Sequence, residues 1–172
     1  MKRIFCVILF SVFLLTGCAA VVVQQAPDAP NFGFRSAFSA DYGDFSFGGV
    51  WDSTDSGIYT VTLNYPDTLA GTMYSCNGEN VTISFENQAQ TVPLAALPEQ
   101  GALWILFGIF RSCSAQPVFG EPVHSGEYWS FTGTGFNNGL VLQTDSVGAI
   151  CEIAVNHKNL TVHFLRDESE SE

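Results

Sequence analysis

Residues 149–166 read AICEIAVNHKNLTVHFLR. Apolar and polar residues alternate on both sides of Asn156 to Asn159, and period two marks a strand with one buried face. A four-residue turn there places Val155 opposite Leu160, Ile153 opposite Val162 and Cys151 opposite Phe164. Those six side chains then share the inward face, while Glu152 meets His163 on the outer one.

The same reading extends outward. In GIYTVTLNYP, residues 57–66, Tyr59, Val61, Leu63 and Tyr65 alternate with Thr60, Thr62 and Asn64 before Pro66 ends the run. In GTMYSCNGENVTISFE, residues 71–86, Asn77-Gly78 is a strong short-range hairpin signal, because both central residues must take positive φ. A two-residue turn there pairs Cys76 with Glu79, Tyr74 with Val81 and Thr72 with Ile83. Asn137-Asn138-Gly139 is a further turn signature, between EYWSFTGTGF (residues 127–136) and LVLQT (residues 140–144). QTVPLAALPEQ, residues 90–100, has room for one short helical turn between Pro93 and Pro98. The chain therefore reads as all-β, an antiparallel β-barrel or β-sandwich of about eight to nine strands, mostly in meander order.

GALWILFGIFR, residues 101–111, breaks the alternation, being apolar on both parities. A strand covered on both faces explains such a run. In a barrel, Leu103, Ile105, Phe107 and Ile109 face the interior and Trp104, Leu106 and Phe110 the outside. An exterior apolar patch calls for a partner. Leu103, Trp104, Ile105, Phe107 and Phe110 are accordingly the candidate ligand or partner patch, and Phe32, Phe34 and Phe38 are candidates to cover it.

The N-terminus carries a different signal. Met1-Lys2-Arg3 precedes IFCVILFSVFLL, residues 4–15, an apolar run too short to span a bilayer but of the length of a signal-peptide core. Leu15-Thr16-Gly17-Cys18 follows, and this resembles the lipobox of bacterial lipoproteins. The resemblance covers residues 1–18 and implies cleavage before Cys18, which becomes the lipid attachment site. Ala19 in the next position implies sorting to the bacterial outer membrane, with the periplasmic face expected. More than one acyl chain on Cys18 makes a durable anchor.

Cleavage leaves 155 of the 172 residues, enough for a single domain with a real core. Four bases then remain (Arg35, Arg111, Lys158, Arg166) against seventeen acids, a formal charge of −13. That balance repels nucleic acid and anionic head groups, so nucleic acid is excluded as a partner. The expected organisation is signal peptide 1–17, lipidated N-terminus and tether 18–43, β domain 44–166 and acidic tail 167–172. Gly49-Val50-Trp51 at the head of a strand resembles the opening of lipocalin-type barrels, a likeness that implies a shape able to hold one small ligand.

An oxidising compartment makes a disulfide expected among Cys76, Cys113 and Cys151. In a plain meander all three lie toward one rim, and Cys76 with Cys113 is the favoured pair because only one strand separates theirs. Catalytic signals are sparse. His124 and Glu127 are three residues apart, but Pro122 and Gly126 place them in a loop, and no third metal ligand accompanies them. His163 pairs with Glu152, and Asp52 and Asp55 read as a tight turn. No metal or other cofactor is implied. The expected function is that of an outer-membrane-anchored lipoprotein, a non-enzymatic module binding a small apolar ligand or an envelope protein. The alternative is an envelope hydrolase or metal-assisted enzyme using His124 and Glu127.

Overall fold

A computed structural model describes residues 26–55, 57–115, 119–133 and 139–165. The signal segment, Cys18, Asn137-Asn138 and the tail 167–172 lie outside the described residues. Eleven strands form one sheet: β1 (Arg35–Tyr42), β2 (Phe45–Asp52), β3 (Tyr59–Tyr65), β4 (Met73–Cys76), β5 (Asn80–Phe85), β6 (Gln88–Pro93), β7 (Val123–Ser125), β8 (Tyr128–Thr132), β9 (Leu140–Thr144), β10 (Ile150–Val155) and β11 (Leu160–Leu165). Their spatial order is β6-β5-β4-β3-β2-β1-β11-β10-β9-β8-β7, with every neighbouring pair antiparallel. The fold is thus all-β in meander order, as the alternation implies. It is one curved sheet not closed into a barrel, because β6 and β7 remain as edges.

The sheet's two halves are joined by β1 and β11, whose pairing runs from Ala37 opposite Leu165 to Tyr42 opposite Leu160. β1 belongs to the segment read as tether, so the ordered domain begins before residue 44. The β10–β11 hairpin keeps the expected register at Val155/Leu160, Ile153/Val162 and Glu152/His163. The β10–β11 ladder stops at Glu152/His163, short of Cys151 and Phe164, and on the β9 side a bulge falls between Ile150 and Glu152, with Ile150 buried. At the β4–β5 turn the pairing is Cys76 with Val81 and Tyr74 with Ile83, two residues away from the expected register. Asn77 explains this: its Oδ1 accepts the N–H groups of both Glu79 (3.1 Å) and Asn80 (2.8 Å), so the turn is wider than two residues and Cys76 pairs with Val81.

The main correction concerns residues 101–111. They are not a strand but the start of helix α1 (Ala102–Ala115), which packs on the concave face of the sheet. Leu106, Phe107, Phe110 and Cys113 are fully buried, a stripe at spacings of three and four. Ile105 and Ile109 widen the stripe, and Arg111 turns outward. An apolar run on both parities is equally an apolar helix with most of its circumference covered, and Ala, Leu and Phe give no Pro or β-branched run to prevent one. Trp51 of β2 lies under Phe110 with ring centroids 4.1 Å apart. Phe32 and Phe34 pack against Phe110 with ring centroids 5.6 and 6.0 Å away, and Phe38 packs on Phe47 and Phe164, so the three join the core and do not cover an exterior patch.

Candidate functional site

α1 does not fill the concave face along its whole length. Its C-terminal half is seated on Trp51, Tyr59 and Phe164, where Arg111 Nη1 also donates to the Gly78 carbonyl at 2.7 Å. Its first turn stands over the opposite end of the sheet and leaves a cavity of about 430 Å³ between helix and strands. The volume falls within the range of about 300–1,000 Å³ usual for small-molecule sites.

Each wall follows from local chain geometry. The β1–β2 hairpin contributes Tyr42, Phe45 and Phe47, since alternation on β2 sends 45 and 47 to the face that also buries Trp51. Leu63 of β3, Tyr74 of β4 and Ile83 of β5 continue that face, and Leu69 comes from the loop between β3 and β4. The roof is Leu97 and Pro98, then Gly101, Ala102, Leu103 and Trp104 at the start of α1. The Tyr42 hydroxyl donates to the Gln100 carbonyl, tying the roof to β1.

The chemistry of these walls is narrow. No lining residue carries a charge, an imidazole or a thiol, and the only side-chain polar atoms besides the indole nitrogen of Trp104 are the hydroxyls of Tyr42 and Tyr74. Burial raises the Tyr74 hydroxyl above its ordinary value of 10.0, which keeps it a neutral donor. A molecule held here is recognised by apolar contact, with at most one or two hydrogen bonds.

The expected site residues divide between this cavity and the core. Leu103 and Trp104 line the cavity. Ile105, Phe107 and Phe110 are buried core residues and form no exterior patch, because a helix turns them onto the sheet. Cys76 is a free buried thiol, so no Cys76–Cys113 disulfide is formed. The Cys76 sulfur instead accepts the Gly78 N–H at 3.4 Å. Burial is the leading cause that pushes the Cys76 thiol up, opposed by the Gly78 hydrogen bond and Arg111. Cys113 is pushed up by burial to about 11. Neither is disposed to act as a thiolate nucleophile. His124 sits on the exposed edge strand β7 with its ring 4.6 Å from Trp129, its cross-strand partner. Glu127 lies exposed in the β7–β8 turn, away from the cavity. Among the described residues no three His, Cys, Asp or Glu side chains gather in a way that could hold a metal ion.

Sequence reasoning missed the strand side of the cavity. Its signal was present in Tyr-Gly-Asp-Phe at 42–45, a turn flanked by aromatic residues, but it lay partly in the segment read as tether.

No family model matches the chain, and no curated protein matches it at a significant level. Among solved structures it is similar to an uncharacterized conserved protein from Thermus thermophilus, with a TM-score of 0.47, 10% identity, and coverage of 76% of this chain and 74% of that one. It is also similar to a LolA superfamily protein from Nitrosomonas europaea, with a TM-score of 0.40, 9% identity, and coverage of 77% of this chain and 82% of that one.

Proposed function

We propose that this domain is a non-enzymatic binding module whose cavity holds one apolar chain of a small ligand. The observation that carries this is the composition of the cavity: about 430 Å³ walled by aliphatic and aromatic side chains, with two tyrosine hydroxyls and no charged group. An apolar group entering a space with these walls leaves water, a transfer that favours binding by about 25 cal/mol per Å² of apolar surface buried. Catalysis would need a nucleophile, acid or base facing that space, and its lining supplies none.

The domain is further proposed to be carried by an envelope lipoprotein anchored through Cys18 in the outer membrane, with the domain on the periplasmic face. The lipobox-like Leu15-Thr16-Gly17-Cys18 supports this. β1 begins with Arg35 paired to Asp52, at the end of the sheet opposite the cavity, so an anchor preceding it holds the domain by its far end. The intact mass of the mature protein tests lipidation: acyl chains on residue 18 are expected, and an unmodified Cys18 removes the anchor.

Ligand binding is tested with a brominated alkyl maltoside, because bromine quenches an indole it touches and Trp104 lines the cavity. The expected result is saturable quenching of Trp104. Ala102→Phe, which places a ring in the cavity, is expected to weaken it by about ten-fold or more on loss of most of the buried chain. Equal quenching in the variant, or none in the parent, overturns the reading.

A further inference from the structure

The two hydroxyls that line the cavity differ in what they do. Tyr42, the last residue of β1, donates to the Gln100 carbonyl of the roof and is committed there. Tyr74 has no such acceptor: among the described residues no side chain or backbone group receives its proton. Burial alone acts on that hydroxyl, with no charge or hydrogen bond beside it, so the oxygen itself is drawn partly out of water.

The sheet fixes where this donor stands. Tyr74 is the second residue of β4, paired with Val61 of β3 and Ile83 of β5. Alternation turns it to the concave face with the buried Cys76, and Met73 to the other face. Its neighbours along the wall are Leu63, Leu69 and Ile83, and Phe45 and Phe85, each 47% exposed, stand at the same end of the sheet. No lining side chain is a carboxylate or an amide, so the wall supplies donors, at Tyr74 and at the Trp104 indole, and lacks strong acceptors.

That imbalance decides what fits. A plain alkyl chain filling the cavity strips the remaining water from the Tyr74 hydroxyl and offers nothing in return, and a donor left unpaired costs more than an ordinary hydrogen bond contributes. A chain that carries a carbonyl at that depth restores the bond. A carboxylate would accept more strongly, but no cation lines the cavity to hold its charge. We propose that Tyr74 is the specificity-determining residue of the cavity, its hydroxyl donating to an uncharged carbonyl on an apolar chain, so that neutral acyl compounds are preferred to plain alkyl ones. The inference rests on the binding role proposed above and names the ligand class for that same site.

The test is a cycle of two probes and two proteins. Decyl maltoside joins its chain to the head through an ether oxygen, and sucrose monodecanoate through an ester. Each displaces the brominated maltoside from Trp104 on the full chain, in nanodiscs of ether-linked phosphatidylcholine, which carry no ester of their own. The proteins are the parent and Tyr74→Phe, which keeps the ring and removes the oxygen. Head-group differences and partition into lipid are common to both proteins and cancel in the ratio. The substitution is expected to cost the ester about three- to ten-fold more affinity than the ether. An isotopically labelled ester carbonyl reads the bond directly, its infrared stretch lying at lower wavenumber in the complex with the parent than in the complex with the variant. Equal losses for the two probes, or the same stretch in both complexes, overturn the assignment and leave the apolar cavity standing. If the variant does not fold, the parent decides alone: a bound carbonyl with the stretch of the same ester in an apolar solvent overturns the proposal. If neither probe displaces the brominated maltoside, the binding role itself is lost.

Discussion

Cys76 and Cys113 show how a residue's surroundings change its chemistry. Both thiols lie in the core, and Cys113, on a helix face packed against the sheet, is held protonated up to about 11 from an ordinary 9.0. In the unfolded chain the same thiol loses its proton near 9.0, so between those values the unfolded state is the one that releases a proton. Stability is therefore at its plateau below about pH 9 and falls as pH rises toward 11, the direction set by a thiol whose value is raised on folding. Urea midpoints measured at about pH 8 and about pH 10.5 should show the loss, and Cys113→Ala should reduce it. Cys76 contributes in the same direction. The disulfide expectation fails because strand counting places Cys113 just past a strand, whereas it lies on the helix. By contrast the Glu152–His163 pair, 3.2 Å apart, was legible because a hairpin register depends on residues only a few positions apart.

Helix α1 is the element whose identity the sequence conceals. Leu103, Leu106, Phe107, Phe110 and Cys113 satisfy a helical stripe, yet Trp104, Ile105 and Ile109 fill the gaps, so both periods fit the run. Fully apolar segments lose the contrast on which periodicity depends, and the decision passes to the curved sheet that covers them. Gly108 marks the one break in the stripe. A Cβ built there meets nothing within 4 Å, and its backbone is helical. Gly108→Ala is therefore expected to stabilise the protein by about 0.5–1 kcal/mol, the difference in helix propensity with no packing cost. A raised urea midpoint at unchanged slope is the result to look for. A lowered midpoint would mean that the helix is not settled on the sheet as described.

At the scale of the whole molecule, hairpins were legible and closure was not. The meander emerges from short turns, but β1 and β11 meet across most of the chain, from Ala37/Leu165 to Tyr42/Leu160, and no local pattern announces such a pairing. The cavity inherits that difficulty, since its walls come from β1 through β5 and from the approach to α1. The same construction couples ligand and fold. Sheet and helix must both be in place for the cavity to exist, so a ligand binds the native state and not the unfolded chain. Linkage then fixes the size of the effect: at a free concentration one hundred times Kd, stability rises by about 2.7 kcal/mol. Decyl maltoside should therefore raise the urea midpoint progressively with concentration. Ala102→Phe should abolish that dependence, because the added ring occupies the space beside Leu103 and Trp104 that the alkyl chain needs. If the variant instead kept the full increment, the stabilising surface would lie outside the cavity, and the exposed Phe45 and Phe85 at its mouth would be the first place to look.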